Sequence, residues 1–366
     1  MSIAQSNEAG SPETHRVVAC RGGEATALEE RPVPAPGRGE LLLRLRAVGL
    51  CGTDLFKLQN GTAARGSVLG HELVGEVAAI GDDVADFRPG DRVAVPHHVP
   101  CGACLYCRRG NETMCETFRE NLLEPGGFAD YILVRNRATV LAARRVPDGV
   151  ADEAAVFMEP AACVLRGVNR SGMPPDGTAV ILGGGSMGLL HLLVLRAVSP
   201  DIRAIVIDPL AERRTLAERL GAAATAAPGE AASDAVNART DGAGADAVFD
   251  TVGGAATLAA GLGLTRQGGT VVLFAHAPEG AKADFDLNNV FKFERRIVGT
   301  YSAALEEQAD IFDLLVAGRF DPTPLVTHRM PLDDFQRGVD LARSQQALKV
   351  LYTRSEGATR NADDSA

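Results

Sequence analysis

The sequence contains no run of about 18 apolar residues, the length a membrane-spanning helix needs. Its opening stretch, MSIAQSNEAGSPETH, has neither the positive n-region nor the apolar h-region of a secretory signal. Membrane insertion and secretion are therefore not expected, and the chain reads as cytoplasmic. An excess of positive charge is missing too: 37 Lys and Arg stand against 47 Asp and Glu, a formal charge of −10 at pH 7. With no basic aromatic face either, the balance argues against a protein that lives on nucleic-acid phosphates or on anionic membrane. A small-molecule partner fits better. In a reducing cytosol the seven cysteines stay thiols, so those that cluster read as metal ligands rather than disulfides.

What is present is enough for two domains, since 366 residues of which 46% are hydrophobic exceed what one core usually serves. Residues 1 to about 14 and the tail SEGATRNADDSA are polar and aperiodic, and read as loose ends. From Arg16 to about Val140, short apolar runs (RVVAC, LLLRLRAVGL, LVGEVAAIG, ADYILV) broken by Gly, Pro and Asp predict an irregular, mostly antiparallel β domain. From about Thr178 the runs TAVILG, RAIVID, DAVFDTVG and GGTVVLFA alternate with helix-length stretches such as SMGLLHLLVLRAV. That alternation predicts an α/β, doubly wound parallel sheet. The last run, ALKVLYT, reads as a strand that packs back onto the first domain.

In ILGGGSMGLLHLL, Gly183, Gly185 and Gly188 satisfy G-x-G-x-x-G directly after a predicted strand and at the start of a predicted helix. The first glycine allows the tight turn, the second lets the backbone approach a pyrophosphate, and the third brings helix and strand together. Ser186 and Met187 complete the cofactor-binding turn. Asp208, about twenty residues on at the close of the next strand, can accept bonds from both ribose hydroxyls and would repel a 2′-phosphate, which favours NAD over NADP. Arg213 and Arg214 follow it and are the residues that could meet such a phosphate.

PCGACLYCRRGNETMC sets Cys101, Cys104, Cys107 and Cys115 at C-x2-C-x2-C-x7-C spacing. Four thiolates complete a tetrahedral zinc shell with no open position, so this metal orders a loop and does not react. Ligation by four thiolates also suits an iron–sulfur cluster, but the bacterial cluster run ends in C-x3-C-P and this one does not. A reacting metal must lie elsewhere. LCGTDLFK offers Cys51 and Thr53, LGHELVGEV offers His71 and Glu72, and FMEPAACVL offers Glu159. Together they provide one thiolate, one imidazole and one or two carboxylates, a mixed shell with room for an exchangeable ligand.

On CGTD at 51–54, GHE at 70–72, the four-cysteine lobe, GGFADY at 126–131, EP at 159–160 and GGGSMG at 183–188, the chain resembles the zinc-dependent medium-chain dehydrogenase family over nearly its whole length. It looks most like the branch of sorbitol, threonine and related polyol dehydrogenases, because EP stands where classical alcohol dehydrogenases carry a third cysteine ligand. The resemblance implies a GroES-like catalytic domain at 1–160 and 305–366, with the structural zinc lobe at 96–120, and a Rossmann domain at 161–304. It also implies Cys51 and His71 as zinc ligands, with Glu159 and Glu72 as third or alternating ligands. Cys163 reads as packing, and Cys20 has no assigned role. The hydroxyl that passes the substrate proton outward falls to Thr53. Many relatives finish that relay with a histidine five residues after the ligand cysteine, where this chain has Phe56. His98 matches a histidine that threonine dehydrogenases place near the substrate pocket, while as a loop residue it can equally be solvated.

The expected activity is hydride transfer between NAD and a secondary alcohol of a polyol, sugar or cyclitol, using one catalytic and one structural zinc. A threonine-type amino-alcohol dehydrogenase is the enzymatic alternative. A catalytically inactive cofactor-binding sensor or structural protein is the alternative of another class. The resemblance further implies a homotetramer or homodimer, with RRIVGTYSA as interface material.

Overall fold

A computed structural model describes residues 12–354. Of the ends expected to be loose, 1–11 and 355–366 lie outside the described residues, and a strand begins at Thr14. Contacts group the chain into two compact units. One holds the residues up to His97, Asn121–Val146 and those from Val326 on; the other holds His98–Glu120 and Pro147–Leu325.

The first unit is built on an eight-stranded sheet. At its centre lies Leu41–Gly49, whose leucines Leu41, Leu42, Leu43 and Leu45 are all buried. This strand pairs antiparallel with Glu72–Ile80 on one side and with Tyr131–Val134 and Lys349–Thr353 on the other. The sheet continues through Arg92–Val95 to Arg144–Arg145, and beyond Lys349–Thr353 through Val326–Pro331 in the one parallel pairing of this sheet among the described residues. A separate hairpin, Thr14–Gly22 with Ala25–Pro32, is antiparallel. The expected return of ALKVLYT is thus observed as sheet pairing between the far ends of the chain.

The second unit carries six parallel strands in the order Ala224–Ala226, Arg203–Ile207, Thr178–Leu182, Ala245–Asp250, Thr265–Leu273, Arg296–Gly299. Numbered along the chain this is 3-2-1-4-5-6, the doubly wound order in which the progression of strands reverses beside the first strand. All five residues of Thr178–Leu182 are buried, as a strand covered on both faces requires. SMGLLHLLVLRAV is a helix over its whole length, Ser186–Val198. The helix Met158–Ser171 packs on it and on Leu305–Val316, which gathers these flanking helices around the parallel sheet.

Candidate functional site

Cys51 follows the central strand of the first unit and caps the helix Gly52–Gln59. Its sulfur accepts the Thr53 N–H at 3.4 Å, and Asp54 Oδ2 accepts the Cys51 N–H at 3.1 Å. The pair is a capping box with a thiol in place of the usual hydroxyl. Asp54 is completely buried, and its Oδ1 accepts the Gly70 N–H at 3.4 Å while lying 3.5 Å from His71 Nδ1. Gly70 has φ +90°, and a Cβ there would stand 2.9 Å from the Phe128 nitrogen. Only glycine brings the chain this close before it turns into Glu72–Ile80.

The charges around His71 are poised to receive a cation. Burial opposes a proton on its ring, yet the Asp54 carboxylate and then Cys51 outweigh it and hold the His71 pKa well above the ordinary histidine range. Burial likewise opposes ionisation of Asp54, but His71 keeps that carboxyl below its usual range. With Nδ1 facing Asp54, Nε2 is the nitrogen left to ligate, the carboxylate–histidine arrangement that orients metal-bound imidazoles. Glu72 is completely buried, and its Oε2 meets the Lys349 ammonium, itself 3% exposed, from 277 positions later in the chain. Its Oε1 has no hydrogen-bond partner. Ligand atoms of Cys51, His71 and Glu72 all lie within 4.8 Å of one another. One thiolate, one imidazole and a carboxylate with an orphan buried oxygen fit a catalytic zinc and leave a position for exchange.

The structure therefore brings Cys51, His71 and Glu72 together, with Thr53 half-buried two residues after the cysteine whose sulfur its N–H meets. Glu159 and His98 belong to the other unit. Glu159 is buried in the first turn of Met158–Ser171 and receives the Cys163 thiol on Oε1 at 3.5 Å. His98 packs its ring against Phe118, centroids 5.2 Å apart. The neighbouring His97 has its ring centroid 4.5 Å from that of His71. Asp54, His97 and Lys349 are missing from the sequence reading. An acid at the third helical position after Cys51 was a signal for Asp54; nothing local marks Lys349.

Cys101, Cys104, Cys107 and Cys115 also converge, with all four sulfurs within 4.8 Å. The Cys101–Cys107 and Cys104–Cys107 separations are 3.9 and 3.5 Å. A tetrahedron of Zn–S bonds has edges of about 3.8 Å, so the spacing fits a single ion and leaves no room for a cluster's sulfides. Backbone N–H groups of Cys101 and Ala103 donate to the Cys115 and Cys101 sulfurs, both at 3.4 Å. Unaided, the thiols do not ionise together. Burial and then Cys104 push Cys107 up to about 12, whereas for Cys115 burial is outweighed by the Thr117 hydroxyl and the Cys101 N–H, leaving it at about 6. A dication resolves that conflict.

At the switch point of the parallel sheet the three glycines divide their work. Gly183 has φ +98°, with a Cβ position 2.8 Å from Thr251 Oγ1; a Cβ on Gly188 would stand 1.7 Å from the Gly183 carbonyl oxygen. Gly185 caps the helix Ser186–Val198 and has nothing within 4 Å of its Cβ position, so its constraint is the open space where a pyrophosphate would lie. Ser186 and Met187 begin that helix. Asp208 is 8% exposed; its Oδ2 accepts the Gly184 N–H at 2.6 Å and its Oδ1 the Leu210 N–H at 2.8 Å. The Arg214 guanidinium donates to the Asp208 and Pro209 carbonyls at 2.7 and 2.9 Å, while Arg213 places its Cβ 3.2 Å from the Cβ position of Gly184. The donor pattern and the bare glycine turn fit a nicotinamide dinucleotide.

Two family models match the chain: the alcohol dehydrogenase GroES-like domain over residues 37–146 and the zinc-binding dehydrogenase over 186–317. An erythritol/L-threitol dehydrogenase of Mycolicibacterium smegmatis is 32% identical across 93% of this chain and 97% of its own. An L-threonine 3-dehydrogenase of Bacillus velezensis is 31% identical across 88% and 94%. Among solved structures, a zinc-binding dehydrogenase of Sinorhizobium meliloti 1021 bound to NADP superposes with a TM-score of 0.83 at 29% identity, covering 93% of this chain and all of that one (100%).

Proposed function

The chain belongs to the zinc-dependent medium-chain dehydrogenase family, and from that premise we propose that it moves hydride between NAD(H) and the secondary alcohol or ketone of a polyol, sugar or cyclitol. The observation that carries the reaction type is the convergence of Cys51, His71 and Glu72, with the unpartnered Glu72 Oε1, in one buried cluster. The substrate class is supported by the erythritol/L-threitol relative. A threonine-type reaction is the second reading, favoured by the L-threonine 3-dehydrogenase relative. An inactive sensor has no support in these relatives.

Cys51, His71 and Glu72 would hold the catalytic zinc, with Glu159 as third or alternating ligand, and Cys101, Cys104, Cys107 and Cys115 the structural one. When bound, the catalytic zinc supplies the positive charge that makes an alcohol proton easy to lose, and NAD the acceptor for the hydride. Asp54 fixes the His71 ring through Nδ1. Thr53 carries the released proton outward from beside Cys51, and His98 serves as a relay or specificity residue. Phe56 cannot accept that proton, so beyond Thr53 the relay would have to end on solvent rather than on a side chain at position 56. Gly183, Gly185, Ser186, Met187 and Gly188 cradle the pyrophosphate and Asp208 the ribose. A buried carboxylate at Asp208, and an Arg214 already engaged by carbonyl oxygens, support NAD over NADP despite the NADP-bound structural relative. Arg213 lines the same turn.

We divide the functions at the boundaries 1–160 with 305–366 for catalysis and 161–304 for the cofactor. Cysteines clustered at metal-ligand distance support a cytosolic setting, and among the described residues no helix is long and apolar enough to cross a membrane. An edge strand at Arg296–Gly299 with the exposed Leu287 and Phe291 nearby in sequence supports a homodimer or homotetramer. The test is a chelator-controlled screen for NADH formation on erythritol, sorbitol, cyclitols and L-threonine, with NAD and NADP in parallel. Turnover of L-threonine alone would transfer the assignment to the amino-alcohol class; chelator-insensitive turnover would defeat the metal reading.

A further inference from the structure

Arg166 is 5% exposed in the middle of the helix Met158–Ser171, and nothing above gives it a role. Its guanidinium serves two different segments. Nη1 donates to Glu307 Oε1 at 3.1 Å and Oε2 at 3.4 Å, while Nη2 donates to the Gly110 carbonyl at 3.4 Å and lies 3.6 Å from Glu112 Oε2. Gly110 and Glu112 belong to the crossover between the third and fourth lobe cysteines. The Gly110 N–H donates to the Cys107 carbonyl at 3.2 Å and the Cys115 N–H to that of Glu112 at 3.0 Å. On the other side, Glu307 Oε2 accepts the Ala304 N–H at 2.8 Å and so starts the helix Leu305–Val316. Along Met158–Ser171, Glu159, Cys163 and Arg166 follow at i, i+4 and i+7 and share one face.

A buried ion pair contributes little net stability over an apolar replacement, because desolvating both charges offsets their attraction. What a planar guanidinium adds is direction: its donors accept partners only along fixed lines. We propose that Arg166 is a positioning residue that makes the placement of Glu159 depend on the metal in the four-cysteine lobe. With four thiolates gathered on one ion, residues 110–112 are held where Nη2 finds them. Without it the thiols spread, the crossover loosens, and the helix loses one of its two anchors two turns beyond Glu159. The consequence for catalysis rests on the reading of Glu159 as a zinc ligand; the coupling itself does not.

Hydrogen exchange followed by mass spectrometry on the wild type, Cys104→Ser, Arg166→Met and the double variant tests it. Each single variant is expected to speed exchange across Met158–Ser171 by about tenfold, a modest share of what unpairing a buried charge can cost. The double variant is expected to exchange no faster than the faster single one, because both remove the same link. Arg166→Lys, which keeps the charge without the fork, is expected to restore part of the protection. Should Cys104→Ser not fold, reciprocity supplies a second measurement: Arg166→Met must weaken the lobe's hold on zinc by the same factor, read by release to a chromophoric chelator in a Cys51→Ser background that keeps only the lobe ion. Additive exchange effects, changes confined to residues 98–120, or unaltered zinc release in Arg166→Met would each overturn the proposal. Failure of the Glu159 reading appears separately, as unchanged kcat and reactive-site zinc content in Glu159→Gln, whatever the exchange data are.

Discussion

Asp54 and His71 are joined by a 3.5 Å contact between Oδ1 and Nδ1, in a place where the carboxylate is buried. The same carboxylate accepts the Cys51 N–H through its other oxygen. One aspartate thus orients both proposed ligands, the thiol through the backbone and the imidazole through its ring.

Asp54→Asn keeps the shape and removes the charge that favours a cation at His71. Loss of such an outer partner typically costs roughly 10–100-fold in metal affinity or activity. The expected result is a fall of that order in kcat/KM, with zinc content by elemental analysis declining from two ions per chain toward one while the lobe ion stays. A variant that keeps full activity and both ions would deny Asp54 this role.

Lys349→Met leaves the Glu72 carboxylate buried without its counter-charge. Breaking one side of a buried pair costs about 3–5 kcal/mol, so the metal-free variant is expected to lose that much in urea denaturation. Adding Glu72→Gln should recover part of the loss, because the stranded charge is then gone. If the double variant is no more stable than Lys349→Met, the ion pair does not govern this region.

The two glycines of the nucleotide turn are expected to fail differently. Gly188→Ala sets a methyl 1.7 Å from a backbone oxygen, so its thermal midpoint drops even without cofactor. Gly185→Ala meets no protein atom within 4 Å and should keep the wild-type midpoint while its NAD dissociation constant rises. Isothermal titration alongside thermal melts separates the two; an unchanged NAD constant for Gly185→Ala would remove the pyrophosphate from that spot.

His191 supplies a pH dependence. It is fully buried between Phe249 and Phe274, donates Nδ1–H to the Met187 carbonyl at 2.7 Å, and leaves Nε2 without a partner. Burial lowers its pKa from 6.5 to about 4, against the smaller opposing effect of that bond. Between those values the unfolded chain binds a proton that the folded one refuses, so the stability this neutral ring preserves is complete above pH 6.5 and is lost as pH falls toward 4. From pH 7.5 to 5 the loss amounts to about 2 kcal/mol. His191→Leu should flatten that part of the slope in parallel denaturation series, and identical slopes in the two proteins would count against it.

Much of this was legible because the chemistry is written locally. Gly183, Gly185 and Gly188 lie within one short turn and mark the end of a strand, the turn and the start of a helix, and all three fall there in the structure. The four lobe cysteines announce their geometry by spacing alone. Cys51 and His71, twenty residues apart, could be grouped by donor chemistry but assigned as ligands only through resemblance, since no period of helix or strand links them. Lys349 is the opposite case: it joins Glu72 by sheet pairing between the two ends of the chain, and a lysine in a terminal strand carries no sign of a buried destination. His97 was passed over for His98, because adjacent identical residues in a loop have no periodicity to say which one turns toward His71.

The pairing of Lys349–Thr353 with Leu41–Gly49 also sets a timetable for biosynthesis. A chain leaving the ribosome has the whole parallel-sheet unit in hand by Leu325, whereas the sheet beneath Cys51 and His71 still lacks two strands and the cation that faces Glu72. The cofactor-binding half can therefore mature while translation continues, and the reactive half closes last, around the most non-local contacts of the molecule. Premature termination shortly before Lys349 should accordingly yield a polypeptide that captures dinucleotide yet never turns over an alcohol.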